Sequence, residues 1–313
     1  MYKNLKYLVL IILLSALFSC HKDKKVIPET PQTSFGTYVL FTADEEFNNG
    51  HSNAPSAYTT LYYAKLDGTG ITAVTPFESD HYSYRGSWSF DGTKVIYTRG
   101  NKDDSDRSLC IIDVPGGNFR TIIQGHRADY GSFSPDGKQI SYGKAQVDSL
   151  YDYDVYVASA SGTSEQRLTF FANDDGAVAN IHWGANGKIY FNAIGDHHHV
   201  GIYSVDPDGN NLTLVVPDVE FLGISRDAGK ILYDTSTGLY TCDADGKNSK
   251  KIVTYDNNTP NSILGASWSY DGMAIYLSYT DYPYGLFGIY RINRDGSGLK
   301  KILDGFYEFP VVY

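Results

Sequence analysis

Two histidines stand seven residues ahead of bulky aromatics in successive stretches of the chain, His81 before Trp88 and His126 before Phe133. Carboxylates accompany them or occupy matching stretches: Asp80, Asp129, Asp174, Asp175 and Glu220. Imidazoles and carboxylates gathered at one pore mouth could hold a zinc or manganese ion, or move protons as base and acid. The same segments, 77–84, 124–130, 170–180, 217–221 and 254–262, are irregular and rich in Asp, Asn, His and Tyr. The simpler expectation is a polar ligand-binding loop face without metal or other cofactor, His81 and His126 being the candidate ligands if a metal is held. Tyr82, Tyr84, Tyr130, Tyr255 and Tyr307, with Arg127 beside His126, add amphipathic area suited to protein and sugar surfaces.

Other chemistry-like stretches read as structure. "DHHHV" at 196–200 puts three adjacent imidazoles in a loop, where neighbouring side chains cannot all face one ion. "DPDGN" and "DADGK" begin like a calcium loop, but they lack its later Glu and sit at a recurring hairpin position, so they are turns. No G-x-S-x-G elbow occurs, which argues against a serine hydrolase. The chain is therefore expected not to be an enzyme, with a lyase or glycosidase built on the His and carboxylate set as the alternative.

The elements that must position these residues are repeated. "GSWSFDGTKVIYT" at 86–98, "GSFSPDGKQISYG" at 131–143, "IHWGANGKIYFN" at 181–192, "LGISRDAGKILYD" at 222–234 and "ASWSYDGMAIYLS" at 266–278 each place a bulky residue three before a turn Asp or Asn. In "SPDG" the Pro presets φ, the Asp caps backbone amides and the Gly supplies positive φ, which together make a tight β-hairpin. A second phrase of two short strands around a Gly turn follows each. Its glycines, from Gly68 through Gly116, Gly162, Gly209 and Gly246 to Gly296, recur at roughly 45-residue intervals, the period of a four-stranded propeller blade. Residues 36–76 supply only the last three strands of such a unit, and "YEFPVVY" at 307–313 is a lone first strand. Both are explained if the C-terminus completes the blade that the N-terminus begins, removing open sheet edges. The expected fold is all-β, a six-bladed β-propeller over 36–313. Few methionines, 27 tyrosines and 31 glycines suit strands and turns. Cys110 and Cys242 lie in apolar strands of non-adjacent units, so buried free thiols are expected.

These phrases resemble the propeller of TolB and related WD40-like repeat proteins, whose blades share "WSPDGKxIxF" wording. The likeness runs along nearly the whole chain after residue 35. It loosens at "GANG", which lacks the Pro, and at "SRDAG", read here as carrying an extra residue. TolB carries an α/β domain ahead of its propeller, so the resemblance is to the propeller alone and implies no particular partner.

A net charge of −10 leaves no basic stripe for phosphates, and nucleic acid is excluded as a partner. "MYKNLKYLVLIILLSALFSC" has two lysines, an apolar run and a small residue before Cys20, the layout of a secretory signal over 1–19. It resembles a bacterial lipoprotein signal with "LFSC" as lipobox, which implies a lipidated Cys20 and anchoring to a membrane. His21, where inner-membrane lipoproteins often carry Asp, leans the resemblance toward the outer membrane. The polar stretch 20–35 reads as a flexible tether. The function expected is that of a cell-envelope binding module for a protein, peptide or glycan.

Overall fold

The hairpin phrase closes on its own side chains. The computed structural model describes residues 38–44, 59–117, 119–125, 127–145, 152–174, 176–195, 199–255, 262–281, 286–305 and 307–312. In it, the hydroxyls of Ser89, Ser134, Ser225 and Ser269 each donate to the Asp two residues on, at 2.6 to 2.8 Å. Each hydroxyl also accepts the first N–H of the next strand, as Ser89 does from Lys94 at 3.0 Å and Ser134 from Gln139 at 2.9 Å. The turn thus satisfies its own polar groups, and its fourth residue takes a left-handed conformation, with φ of 66 to 68° at Gly92, Gly137 and Gly272. The extra residue expected in "SRDAG" is not there. Ala228 occupies the left-handed position at φ 55° and Gly229 stands where Thr93 does, so this turn has ordinary length with its Gly displaced by one.

Among the described residues, twenty-four strands make six four-stranded antiparallel sheets. The first blade contains β1 (Tyr38–Asp44), β2 (Thr59–Lys65) and β3 (Thr72–Ala73). The second runs β4 (His81–Trp88), β5 (Lys94–Asn101), β6 (Arg107–Asp113) and β7 (Arg120–Ile123). The third is β8 (Ala128–Phe133), β9 (Gln139–Ala145), β10 (Tyr153–Ser159) and β11 (Gln166–Arg167), followed by a 3-10 turn at Phe171–Asp174. The fourth is β12 (Gly176–Trp183), β13 (Ile189–Gly195), β14 (Gly201–Val205) and β15 (Thr213–Pro217). The fifth is β16 (Glu220–Ile224), β17 (Lys230–Thr235), β18 (Gly238–Asp243) and β19 (Lys250–Thr254). The sixth is β20 (Ser262–Trp268), β21 (Ala274–Asp281), β22 (Leu286–Asn293) and β23 (Lys300–Asp304). The last strand, β24 (Tyr307–Val312), is the inner strand of the first blade.

That closure follows from register. β1 pairs with β2 on one side and β24 on the other, matching Val39 with Val312 and Ala43 with Tyr307. Each inner strand touches the inner strands of the blades on either side, and β20 meets β24, so the ring is complete. Trp88, Phe133, Trp183 and Trp268, the residues ahead of the hairpin turns, are buried between blades, each contributing roughly 1.5–3 kcal/mol by transfer from water. Cys110 and Cys242 are free and buried, as expected. No helix among the described residues is long and apolar enough to cross a membrane.

Candidate functional site

Every inner strand is kinked at the same level. Pairing slips at Arg85–Gly86, Tyr130–Gly131, Asn180–Ile181, Leu222 and Leu264, and between β24 and β1 opposite Phe41. A β-bulge sets two residues against one and re-aims a side chain. Here Arg85, Tyr130, Asn180, Leu222, Leu264 and Pro310 line one central cavity of about 460 Å³. Arg85, Tyr130 and Asn180 do so with φ of 52°, 58° and 51°, a left-handed state that costs about 1 kcal/mol or more per residue outside glycine. In the second and third blades the next position is glycine, and a Cβ there would come within 2.7 Å of Leu40 Cδ2 at Gly86 and 2.8 Å of Ile96 Cδ1 at Gly131. At the hairpin-turn end the channel narrows to a space of about 110 Å³. There the Arg226 guanidinium lies over the rings of Phe90 and Tyr270, 5.3 and 4.3 Å from their centroids, and donates to the Phe90 carbonyl. The larger cavities lie farther from these turns.

A buried ionic network fixes one wall. Asp129 is wholly buried on β8 and accepts from Tyr84 Oη at 2.7 Å, Arg85 Nη1 at 2.7 Å, Arg107 Nη1 at 3.0 Å and Thr98 Oγ1 at 2.8 Å. Asp104 takes the second tier, bonded by Tyr82, by Arg107 at 2.7 and 2.8 Å and by Arg127 at 2.9 Å. Burial drives the Tyr84 phenol far up in pKa and the Tyr130 phenol up to about 12, so both remain protonated. The Arg85 guanidinium carbon sits 4.2 Å from the Tyr130 ring centroid, which holds both groups at the cavity wall.

The opposite wall is anionic. A second cavity of about 840 Å³ lies between the fourth and fifth blades and shares Asn180, Ile194, Glu220 and Ile263 with the channel. Tyr255 Oη donates to Asp234 Oδ1 at 2.7 Å within it. Burial pushes the Asp234 carboxyl up to about 6; the Tyr255 hydrogen bond pulls the other way and nearby Glu220 adds to the rise. Asn192 is a fixed strut, accepting from Phe221 N at 2.6 Å and donating to the carbonyls of Gly201 and Val219 at 3.0 and 3.1 Å. Lower in the channel the His182 imidazole, edge-on to Phe221, is driven down in pKa to about 4 by desolvation and is neutral.

Of the residues expected on the ligand face, Tyr130 and Glu220 line the channel, and Tyr255 lines the adjoining cavity. Tyr82, Tyr84, Arg127 and Asp129 are brought together, but into the network behind the wall, because two aspartates are the acceptors for three half-buried guanidiniums. Tyr307 is a correction: 2% exposed, it packs edge-on against Phe41 at 4.8 Å and donates to the Asp304 carbonyl, serving the clasp rather than a ligand. His81 stands at the start of β4 with its Nδ1 2.8 Å from Asp80 Oδ1, and neither residue lines the channel cavities. His126 and Asp175 lie outside the described residues, and Asp174 ends the 3-10 turn. No group of three metal-ligating side chains converges among the described residues.

Arg85, His182 and Asp234 are the site residues missed. Alignment of the repeats holds a signal for each. Arg85 precedes Gly86 where other units have Tyr130, Asn180, Leu222 and Leu264, and His182 replaces Ser87, Ser132, Gly223 and Ser267. Asp234 is the one carboxylate in a column of Thr98, Gly143, Asn192 and Ser278.

Among solved structures, the chain is similar to TolB from Acinetobacter baumannii, with a TM-score of 0.69 at 16% identity over 89% of this chain and 67% of that one. The fold is that of a TolB-like six-bladed β-propeller. This TolB-like propeller is also similar to a chain of a nidogen/laminin complex, at TM-score 0.61 and 14% identity over 88% of this chain and 94% of that one. An oligogalacturonate lyase from Vibrio parahaemolyticus matches at TM-score 0.54 and 13% identity over 75% of each chain. No family model and no curated protein matches the chain.

Proposed function

We propose that this chain is a non-catalytic binding module of the bacterial cell envelope, held at the outer membrane through a lipidated Cys20, whose channel mouth engages a protein, peptide or glycan. The signal over 1–19, Cys20 and the tether to residue 35 lie outside the described residues, and this part of the reading rests on the sequence. One observation carries the binding role: the inner-strand bulges bring Arg85, Tyr130 and Asn180 to the central cavity in left-handed conformations. The wall is amphipathic, with Arg85 and Tyr130 facing a side made of Leu222, Leu264 and Pro310, which suits a polypeptide presenting both side chains and backbone. One chain that shares the scaffold comes from a nidogen/laminin complex, an assembly of two proteins. The test places a photo-cross-linking residue at Ile194 on the loop face or at Met273 on a hairpin turn, both about half exposed, in intact envelopes. Adducts at Ile194 and none at Met273 are expected, and the reverse pattern overturns the reading. Cys20→Ser should move the protein out of the membrane fraction.

A second reading, a lyase or glycosidase acting from the same mouth, is favoured by the Asp234 carboxyl, raised to about 6 and able to act as an acid near neutral pH. Turnover of any polyuronate or glycoside that is abolished in Asp234→Asn would establish it over the binding module.

A further inference from the structure

The cavity between the fourth and fifth blades is charged without compensation. Its described lining carries three carboxylates, Asp218, Glu220 and Asp234, and no Lys, Arg or His. Glu220 makes no ion pair among the described residues, whereas Asp104, Asp129 and Asp154 are all answered by guanidiniums. The three do not form a metal-holding group among the described residues, and Glu220 and Asp234 are cross-strand partners. Around them lie the aliphatic Ile194 and Val200, 51% and 39% exposed, with Val219 and Ile263, beside the polar Asn180, Asn192, Thr235 and Ser236. Its one aromatic among the described residues, Tyr255, donates its hydroxyl to Asp234.

We propose that this cavity receives a lysine side chain of the polypeptide partner, with Glu220 and Asp234 holding the ammonium and Ile194, Val200 and Ile263 packing the aliphatic stem. The inference rests on the binding-module reading and names the chemistry of its partner. A lysine stem buries on apolar surface while its head seeks charge. An ammonium carries three donors on a compact centre, and here the carboxylates of Glu220 and Asp234 and the side-chain amide of Asn180 line one cavity. A guanidinium forks onto both oxygens of a single carboxylate, as Arg107 does on Asp104, whereas an ammonium shares its three donors among separate acceptors.

Binding should depend on pH. The titratable groups facing Asp234 are Glu220 from β16 and Tyr255 after β19, with Tyr279 of β21 acting on Tyr255 in turn. Asp234 is ionised at pH 7.5 and largely protonated at pH 5, so the lysine site weakens as pH falls through about 6.

The experiment titrates the protein with Nα-acetyl-lysine methylamide, followed by NMR shifts, beside the Nζ-acetylated analogue, the arginine analogue and glucosamine. Saturable binding at pH 7.5 is expected, about tenfold weaker in Glu220→Gln or Asp234→Asn, weaker at pH 5 and absent for the acetylated analogue. Unchanged melting of the isosteric variants excludes loss of fold. Equal binding of the acetylated probe, unaffected variants, or preference for glucosamine overturns the lysine assignment. Cross-linking at Ile194 that persists while lysine fails to bind sinks this inference alone; lysine binding without any cross-link at Ile194 sinks the binding-module reading instead.

Discussion

Trp88 Nε1 donates to the backbone carbonyl of Val311 at 3.2 Å, joining residues 223 apart in sequence across the seam between the second and first blades. The ring is therefore fastened by its final strand both within a sheet and between sheets. Removing 307–313 leaves β1 with an open edge and uncovers the buried Val39 and Phe41. The truncated protein should lose its single cooperative melting transition, followed by circular dichroism. Tyr307→Ala is the milder form and should cost about 3–5 kcal/mol in urea unfolding, as for other buried aromatics. A truncated chain melting like the intact one would remove the clasp.

Asp129 is the single acceptor on which Arg85, Arg107, Tyr84 and Thr98 converge. Deleting one member of a buried ion set strands the rest, at about 3–5 kcal/mol. Asp129→Ala should therefore destabilise by that order and also lower partner capture, because Arg85 and Tyr130 lose their fixed orientation. Asp129→Asn, which keeps an acceptor but not the charge, should fall between. Chemical denaturation measures the first effect and cross-linking at Ile194 the second.

The fold was open to sequence reading because its signal is periodic. The hairpin Ser and Asp are written out in nearly every unit, and the same hydrogen bonds appear wherever they are. Even the clasp is legible, since a missing first strand and a surplus one are both visible in a 45-residue frame. The site was less so, for a physical reason. The irregular segments 124–130 and 170–180 end on Tyr130 and Asn180, but Arg85 lies one residue beyond 77–84, and it is the strand bulge that carries it into the channel. Bulges are set by pairing between strands, which has no local wording. Polar residues such as Asp129 and Tyr84 meanwhile turn inward to satisfy arginines 44 and 22 residues away in sequence from Asp129.

The thiols give an independent check on burial and on the lipid anchor. Cys110 and Cys242 are fully buried, and desolvation, reinforced by Asp243 and Asp245, pushes the Cys242 thiol up to about 12. Both should resist a disulfide reagent in the native protein and react together on unfolding, read by thiol titration. Full-length chain produced without acylation should show one further, fast-reacting thiol from Cys20, absent from envelope-purified protein.

The Asp234 carboxyl links stability to the proposed site. Its folded pKa of about 6 lies above the value near 4 of the unfolded chain. A raised pKa contributes stability that is complete below about pH 4 and is lost as pH rises through 6, because the native state then holds a charge it solvates poorly. Asp234→Asn keeps an oxygen for the Tyr255 hydroxyl and removes the charge. Its melting temperature should match the wild type at pH 4 and exceed it by about 2 °C at pH 7.5, the site being partly open to solvent. A bound ammonium restores what the ionised carboxyl lacks, so the lysine probe should narrow that gap by raising the wild type more than the variant. A gap that stays the same from pH 4 to 7.5, or a probe that raises both proteins equally in thermal melts, would show that Asp234 is not the group being compensated.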